Sequence, residues 1–333
     1  MARLARAMGA HGATRAIGTA PVLLLALLCS GCITIHIPIG GRAELQETVV
    51  YGSHGPKIVL IEIDGVITEA DEPGFLGTGR ESSVARVREQ LDMARRDSEV
   101  RAILLRINSP GGTAQASELV YREVLDFKRE KNVPVVAQLM GVATSGGYYV
   151  AMAADQIVAH PTTVTGSIGV IFVGVNLSGL MQKLGIQDQT FTAGAHKDAG
   201  SPLRPMRAEE RTHLQSVLDD LHARFREVVA LGRPKLDAAG VEKLADGRIY
   251  SASQALENGL VDVLGGIDDS IEYLQARSGL AQVRVVSYHR PQEWRRNFYT
   301  AAPRTPVIKL DLTGLLGAMP APGFHYLWWP SGR

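Results

Sequence analysis

The sequence predicts an α/β protein built on a mainly parallel sheet, and three observations predict it. Short β-branched runs alternate with longer amphipathic stretches from Lys57 onward, the order that gives parallel strands with helical crossovers. The 333 residues are 45% hydrophobic and 21% charged, the balance of a globular chain with a sizeable core. Glycine-rich turns stand where strands give way to helices, as at Ser109-Pro110-Gly111-Gly112 and Ser145-Gly146-Gly147. The same arithmetic excludes several classes. Thirty-five Lys+Arg against 34 Asp+Glu leave a formal net charge of +1, without the basic excess of a nucleic-acid binder, so no nucleic-acid partner is expected. Two cysteines, Cys29 and Cys32, rule out a disulfide framework or a cysteine-rich zinc module.

The first element in order is a leader over residues 1–32. Arg3, Arg6 and Arg15 precede an apolar run, Val22-Leu23-Leu24-Leu25-Ala26-Leu27-Leu28, with no acid before Pro21. Cys29-Ser30-Gly31-Cys32 follows, completing the parts of a secretory signal. Small residues before Cys32 resemble a lipobox, with Cys29 where leucine is usual, which implies lipidation at Cys32. The Cys29-x-x-Cys32 spacing also matches a redox pair, but it lies in an apolar leader rather than after a strand. The 26 residues between Arg15 and Arg42 carry no Lys, Arg, Asp or Glu and are long enough for an uncleaved membrane anchor. An ordinary cleaved signal is the third reading. All three place the body of the chain outside the cytoplasm, and the lipidated or anchored forms predict a membrane-associated protein of the cell envelope.

Residues 33–56 read as a linker, 57–279 as the main domain and 280–333 as a C-terminal extension. Ile58-Val59-Leu60-Ile61-Glu62-Ile63 reads as a strand. Val84, Val87, Leu91 and Ala94 then form a helical stripe over 82–96. A buried strand over 101–107, a helix over 114–130 and a strand over 133–137 come next. A helix opens near Ser145, and strands follow at 156–159 and 170–173. A long polar helix over 208–231, shorter helices near 238–244 and 252–258, and a last helix over 267–277 complete the pattern. Prolines at 291, 303, 306, 320, 322 and 330 then interrupt it. The terminal aromatics Phe324, Tyr326, Trp328 and Trp329 suit either a membrane interface or, the reading favoured here, a strand or arm packed on the body.

The two glycine turns are the first candidates for chemistry. Glycines after a buried strand bring bare N–H groups toward a ligand oxygen, and two such turns can supply the two donors of an oxyanion hole. Ser145 stands at the second turn, where a serine is either a helix cap or an exposed nucleophile. A serine needs a base. His160, His213 and His222 sit in ordinary packing or solvated contexts. Lys197 lies in Thr192-Ala193-Gly194-Ala195-His196-Lys197-Asp198, a small-residue segment in which a desolvated lysine can serve as a base; the alternative is plain surface charge. Neither a His-Glu-x-x-His helix nor a Gly-x-x-x-x-Gly-Lys-Ser/Thr phosphate loop occurs, so no metal or cofactor is expected.

Five motifs in order resemble the signal peptide peptidase A (protease IV) family of Ser–Lys peptidases, in its single-copy form. They are Asn108-Ser109-Pro110-Gly111-Gly112, Ser145-Gly146-Gly147-Tyr148-Tyr149, Thr165-Gly166-Ser167-Ile168-Gly169-Val170, Ala193–Asp198 and Asp246-Gly247-Arg248-Ile249-Tyr250. The resemblance spans residues 57–275. It implies a Clp protease/crotonase-like fold of stacked ββα units, with a parallel sheet, helices packed outside and a C-terminal helical part. It implies Ser145 as nucleophile, Lys197 as general base and Ser167 as the residue that positions the lysine. The oxyanion hole would use N–H groups of Gly111 or Gly112 and of Gly146. It further implies a serine endopeptidase degrading apolar signal peptides after export, assembled as a homo-oligomeric ring at the lipid membrane. Two other readings fit the same fold: a crotonase-like acyl-group enzyme and a non-catalytic membrane scaffold.

Overall fold

The structure, a computed structural model, describes residues 43–71, 81–293, 297–299 and 323–328. The leader, with Cys29 and Cys32, lies outside the described residues. The chain runs β1 (Gln46–Tyr51), β2 (Lys57–Asp64), α1 (Ser83–Arg96), β3 (Val100–Ser109), β4 (Gly111–Thr113) and α2 (Ala114–Lys131). It continues through β5 (Val135–Thr144), α3 (Gly146–Ala151), β6 (Gln156–Ala159), β7 (Val164–Gly166), β8 (Ile171–Val173), α4 (Ser178–Leu184) and α5 (Ala208–Gly232). Then follow α6 (Ala238–Leu244), β9 (Ile249–Ser251), α7 (Ala252–Glu257), β10 (Val263–Leu264), α8 (Ile267–Ser278), β11 (Arg284–His289) and β12 (Gly323–Leu327).

The main sheet has the path β1-β11-β2-β3-β5-β6-β10. Every neighbour from β11 to β10 is parallel, and β1 closes one edge antiparallel to β11. Strands buried on both faces must be apolar along their whole length, which is why β2 and β3 read as continuous hydrophobic runs. Val59, Ile61, Ile63, Ile103, Leu105 and Ile107 join the core shared with α1, α2 and α3. Their alternates Ile58, Leu60, Ala102 and Leu104 face the other side, against Ile267, Ile271 and Leu274 of α8.

Local chemistry sets the helix ends. The Ser82 hydroxyl caps α1 by accepting from the Ala85 N–H at 3.2 Å, and Thr113 caps α2 by accepting from Ala116 at 3.0 Å. Asn132 ends α2 in the left-handed conformation, with φ +50°. The parallel-sheet core and the C-terminal helices thus follow the pattern read from the sequence.

Two segments depart from it. Residues assigned above to the linker form β1, and residues assigned to the C-terminal extension form β11 and β12. β1 and β11 pair with each other, Gln46 opposite His289, so neither 57 nor 279 bounds the folded body. Local patterning cannot show a pairing that spans nearly the whole chain.

Off the main path, β7 runs parallel to the carboxyl half of β5 and carries β9 antiparallel on its other edge. A second small sheet has the order β4-β12-β8. Both branches converge on the carboxyl end of β5.

Candidate active site

Ser145 follows β5 directly and opens α3. Its backbone has φ +51° and ψ −116°, a conformation that L-residues avoid, and its side chain makes no capping hydrogen bond. A cap would need extended backbone and a hydroxyl turned onto the helix, so the cap reading fails. Strain of this kind, at a buried strand-to-helix turn, frees the hydroxyl and is characteristic of functional turns. The residue is only 1% exposed.

Ser145 is held by β7. Its N–H donates to the Gly166 carbonyl at 2.7 Å, which places Ser167 beside it in the chain. Ser167 is itself left-handed, with φ +52°, and its N–H donates to the Arg248 carbonyl at 2.7 Å. β9 supplies the buttress: Tyr250 stands opposite Thr165, and the Gly247 N–H donates to the Ile168 carbonyl at 3.1 Å. The Thr165–Val170 and Asp246–Tyr250 motifs are therefore two faces of one support under Ser145 and Ser167.

The two glycine turns abut. A Cβ on Gly111, whose φ is +102°, would lie 2.7 Å from the Gly146 nitrogen. A Cβ on Gly146 would lie 2.3 Å from the Ser117 hydroxyl and 3.1 Å from the Gly111 Cα. Only glycine fits at either position. The three glycines are not equivalent donors, however. The Gly111 N–H donates to the Ser109 hydroxyl at 3.0 Å, and that hydroxyl in turn donates to the Gly65 carbonyl at 2.6 Å. Of the oxyanion donors expected from the sequence, Gly111 is thus already committed, which leaves Gly112 and Gly146.

The Lys197 amine makes no hydrogen bond to Ser145. Residues 191–197 are exposed, and the Lys197 amine makes no hydrogen bond or ion pair among the described residues. Among the described residues no element covers the segment, so the desolvated surroundings expected of this lysine are not formed by them. The segment is nevertheless anchored. Arg204 donates from Nε to Asp198 at 2.6 Å and from Nη1 to Glu210 at 2.9 Å, and Arg207 reaches the Ala195 carbonyl at 3.1 Å. The Arg204 guanidinium holds both carboxyls down to about 2.

A polar network behind Ser145 escaped the sequence reading. The Tyr149 hydroxyl donates to Glu118, which also accepts from Arg224 Nη2 at 3.0 Å. Burial alone would raise the Glu118 carboxyl, but hydrogen bonds from Arg224, Tyr149 and Arg122 hold it below its ordinary value. Burial, with the bond to Glu118, pushes the Tyr149 phenol well up. The one hint in the sequence was the Tyr148-Tyr149 pair directly after Gly147. Among the described residues no group of His, Cys, Asp or Glu is placed to hold a metal ion. No helix among them is long and apolar enough to cross a membrane.

A strained serine between two glycine turns, at the carboxyl edge of a parallel α/β sheet, defines a serine peptidase of Clp protease-like fold. The chain belongs to peptidase family S49. That family's model matches residues 127–281, and the Clp protease model matches residues 74–164. The chain is 37% identical over 249 residues to an Enterococcus faecium protein named for signal peptide peptidase SppA, covering 75% of this chain and 72% of that one. It is 33% identical to the chloroplastic serine protease SPPA of Arabidopsis thaliana, covering 71% of this chain and 35% of the relative. Protease 4 of Haemophilus influenzae is 34% identical, with 68% and 36% covered. The chain thus spans about a third of these two longer relatives.

Proposed function

We propose that the chain is an endopeptidase that cleaves apolar peptides, signal peptides among them, with a Ser145–Lys197 dyad completed between neighbouring copies. The observation that carries this reading is the mismatch between the two residues. Ser145 is buried and strained beside the two glycine turns, whereas Lys197 stands exposed, its amine without a hydrogen bond or ion pair among the described residues. The stretch leading to the lysine is also unusually apolar for a surface. Ile171, Val175, Leu180, Leu184 and Ile186 are exposed, and Phe191 is 97% exposed, which favours burial against a second copy. A ring of copies would desolvate Lys197 at the moment it meets the serine of its neighbour.

In this mechanism the Ser145 hydroxyl attacks the scissile carbonyl carbon while the neutral Lys197 amine takes its proton. The carbonyl oxygen becomes an oxyanion facing the N–H groups of Gly112 and Gly146. Lys197 then returns the proton to the leaving amine as the C–N bond breaks, leaving an acyl-enzyme. Water attacks the ester, again deprotonated by the lysine, and releases the carboxyl product. Ser167 keeps the amine on the serine. Export through the leader, and lipidation at Cys32, would bring this chemistry to the membrane where spent signal peptides accumulate.

The test is cleavage of an apolar, signal-peptide-like peptide by full-length protein. Ser145→Ala, Lys197→Ala and Lys197→Arg are each expected to lower kcat by about a thousandfold or more, the scale for removing a nucleophile or its base. Arginine keeps the charge but cannot release its proton. A Lys197→Arg enzyme that retains its rate would overturn the lysine's role.

A further inference from the structure

The Lys197 segment is exposed, yet its backbone is folded into three overlapping turns. The Lys197 N–H donates to the Gly194 carbonyl at 3.2 Å, the Ala199 N–H to His196 at 3.1 Å and the Ser201 N–H to Asp198 at 3.0 Å. A single hydrogen-bonded turn fixes several dihedrals for one bond and is unfavourable alone in water. The turns therefore need a hold from outside themselves.

Arg204 supplies it. Its guanidinium donates from Nε to the Asp198 carboxylate at 2.6 Å and from Nη2 to the Asp198 main-chain carbonyl at 3.2 Å. One residue is thus gripped by both side chain and backbone. Nη1 of the same fork donates to Glu210 at 2.9 Å, and Nη2 reaches that carboxylate as well. Glu210 is only 1% exposed and stands in the first turn of α5, where it accepts from the Arg207 N–H at 2.9 Å. A continuous set of contacts runs from the end of a 25-residue helix, through Glu210 and Arg204, to Asp198, the residue after Lys197. The planar, five-donor guanidinium can make all these bonds at once, which an ammonium cannot.

The tie fixes the backbone beside Lys197 and leaves the amine uncommitted, without a hydrogen bond or ion pair among the described residues. A base that has to meet a serine on another copy benefits from being ordered beforehand, since less freedom is then lost when the site assembles.

We propose that Arg204 is the positioning residue of the base, presenting Lys197, through Asp198, to the serine of the neighbouring copy. This rests on the shared Ser145–Lys197 dyad, and it separates Arg204 from an arginine that merely supports the fold. Arg204 acts only in the copy that supplies the lysine.

The test mixes and reassembles full-length Ser145→Ala and Lys197→Ala proteins, so that each working site joins a serine of the second to a lysine of the first. Adding Arg204→Ala to the Ser145→Ala copy is expected to lower the recovered kcat about 10²-fold, with KM within about twofold, the scale of a misplaced reacting group. The same change in the Lys197→Ala copy is expected to alter nothing further, since that copy has no lysine to position. Asp198→Ala, which spares the Arg204–Glu210 pair at α5, is expected to follow the same one-copy rule with a smaller factor. Equal losses from both placements, or none from the first, in mixtures of unchanged assembled size, overturn the proposal. A parent mixture that recovers no cleavage refutes the shared dyad instead, and hydrogen exchange then decides the positioning role. In otherwise wild-type protein, Arg204→Ala is expected to speed exchange of the Lys197, Ala199 and Ser201 amides by about tenfold or more, with residues 215–232 unchanged. Unaltered exchange at those three amides overturns the proposal whatever the cleavage shows.

Discussion

Ser145 sits in a conformation suited to glycine, and that has a measurable consequence. Both Ser145→Gly and Ser145→Ala remove the hydroxyl proposed as nucleophile, but only glycine relieves φ +51°. The glycine variant is expected to be the more stable by about 1 kcal/mol in urea denaturation, within the usual cost of a strained φ/ψ. Gly146→Ala places a methyl group 2.3 Å from the Ser117 hydroxyl and 3.1 Å from the Gly111 Cα. It is expected to lower kcat by about 10²–10³-fold, the scale of one lost oxyanion donor, with a smaller change in KM. The serine and its glycines were legible in the sequence because strand, turn and helix follow one another locally. The commitment of the Gly111 N–H to Ser109 was not, because it depends on a hydroxyl turned inward by its bond to the Gly65 carbonyl.

Two ties between elements hold the site's surroundings. Arg233, just past α5, makes a two-bond pair with Asp262 at 2.7 and 2.8 Å, and Asp262 also accepts from the Ile157 N–H of β6 at 2.8 Å. Burial alone would raise the Asp262 carboxyl, but the hydrogen bonds from Arg233 and Ile157 keep it below its ordinary value. Asp262→Ala would leave the guanidinium buried without its charge partner. A loss of about 2–4 kcal/mol is expected, checked by thermal unfolding.

The second tie anchors the Lys197 segment. Glu210 and Asp198 are held near 2 by Arg204, below their ordinary values of 4.5 and 3.8. Depressed carboxyls stabilise the tie above their ordinary range and lose that contribution as pH falls toward 2. The Arg207 N–H, which donates to Glu210 at 2.9 Å, reports on it. Its amide resonance is expected to move between about pH 4 and 2 in the wild type, and at higher pH in Arg204→Ala. The helices and central strands could be read from their periodicity, and two of the five motifs, Asn108–Gly112 and Ser145–Tyr149, fell at the carboxyl ends of β3 and β5. The short strands β7 and β9 could not, since three residues carry no period.

For the whole molecule, the fold class could be read in advance because the alternation of strands and helices persists over two hundred residues. Its boundaries could not. β1, β11 and β12 each find their partners far away in the chain, and β12 reaches the active site from the C-terminal end. The same distinction applies to the dyad. Sequence motifs name Ser145 and Lys197 together, while among the described residues the lysine is exposed and its amine has no hydrogen-bond or ion-pair partner.

Sharing of the site between copies is the central claim, and complementation tests it most directly. Ser145→Ala and Lys197→Ala proteins are each inactive under this account, since each lacks one half of every site. After the two are mixed, dissociated and reassembled, sites pairing an intact serine with an intact lysine from the neighbouring copy are predicted to form, and peptide cleavage returns. A mixture that assembles to the wild-type size yet stays as inactive as either variant alone would contradict the account.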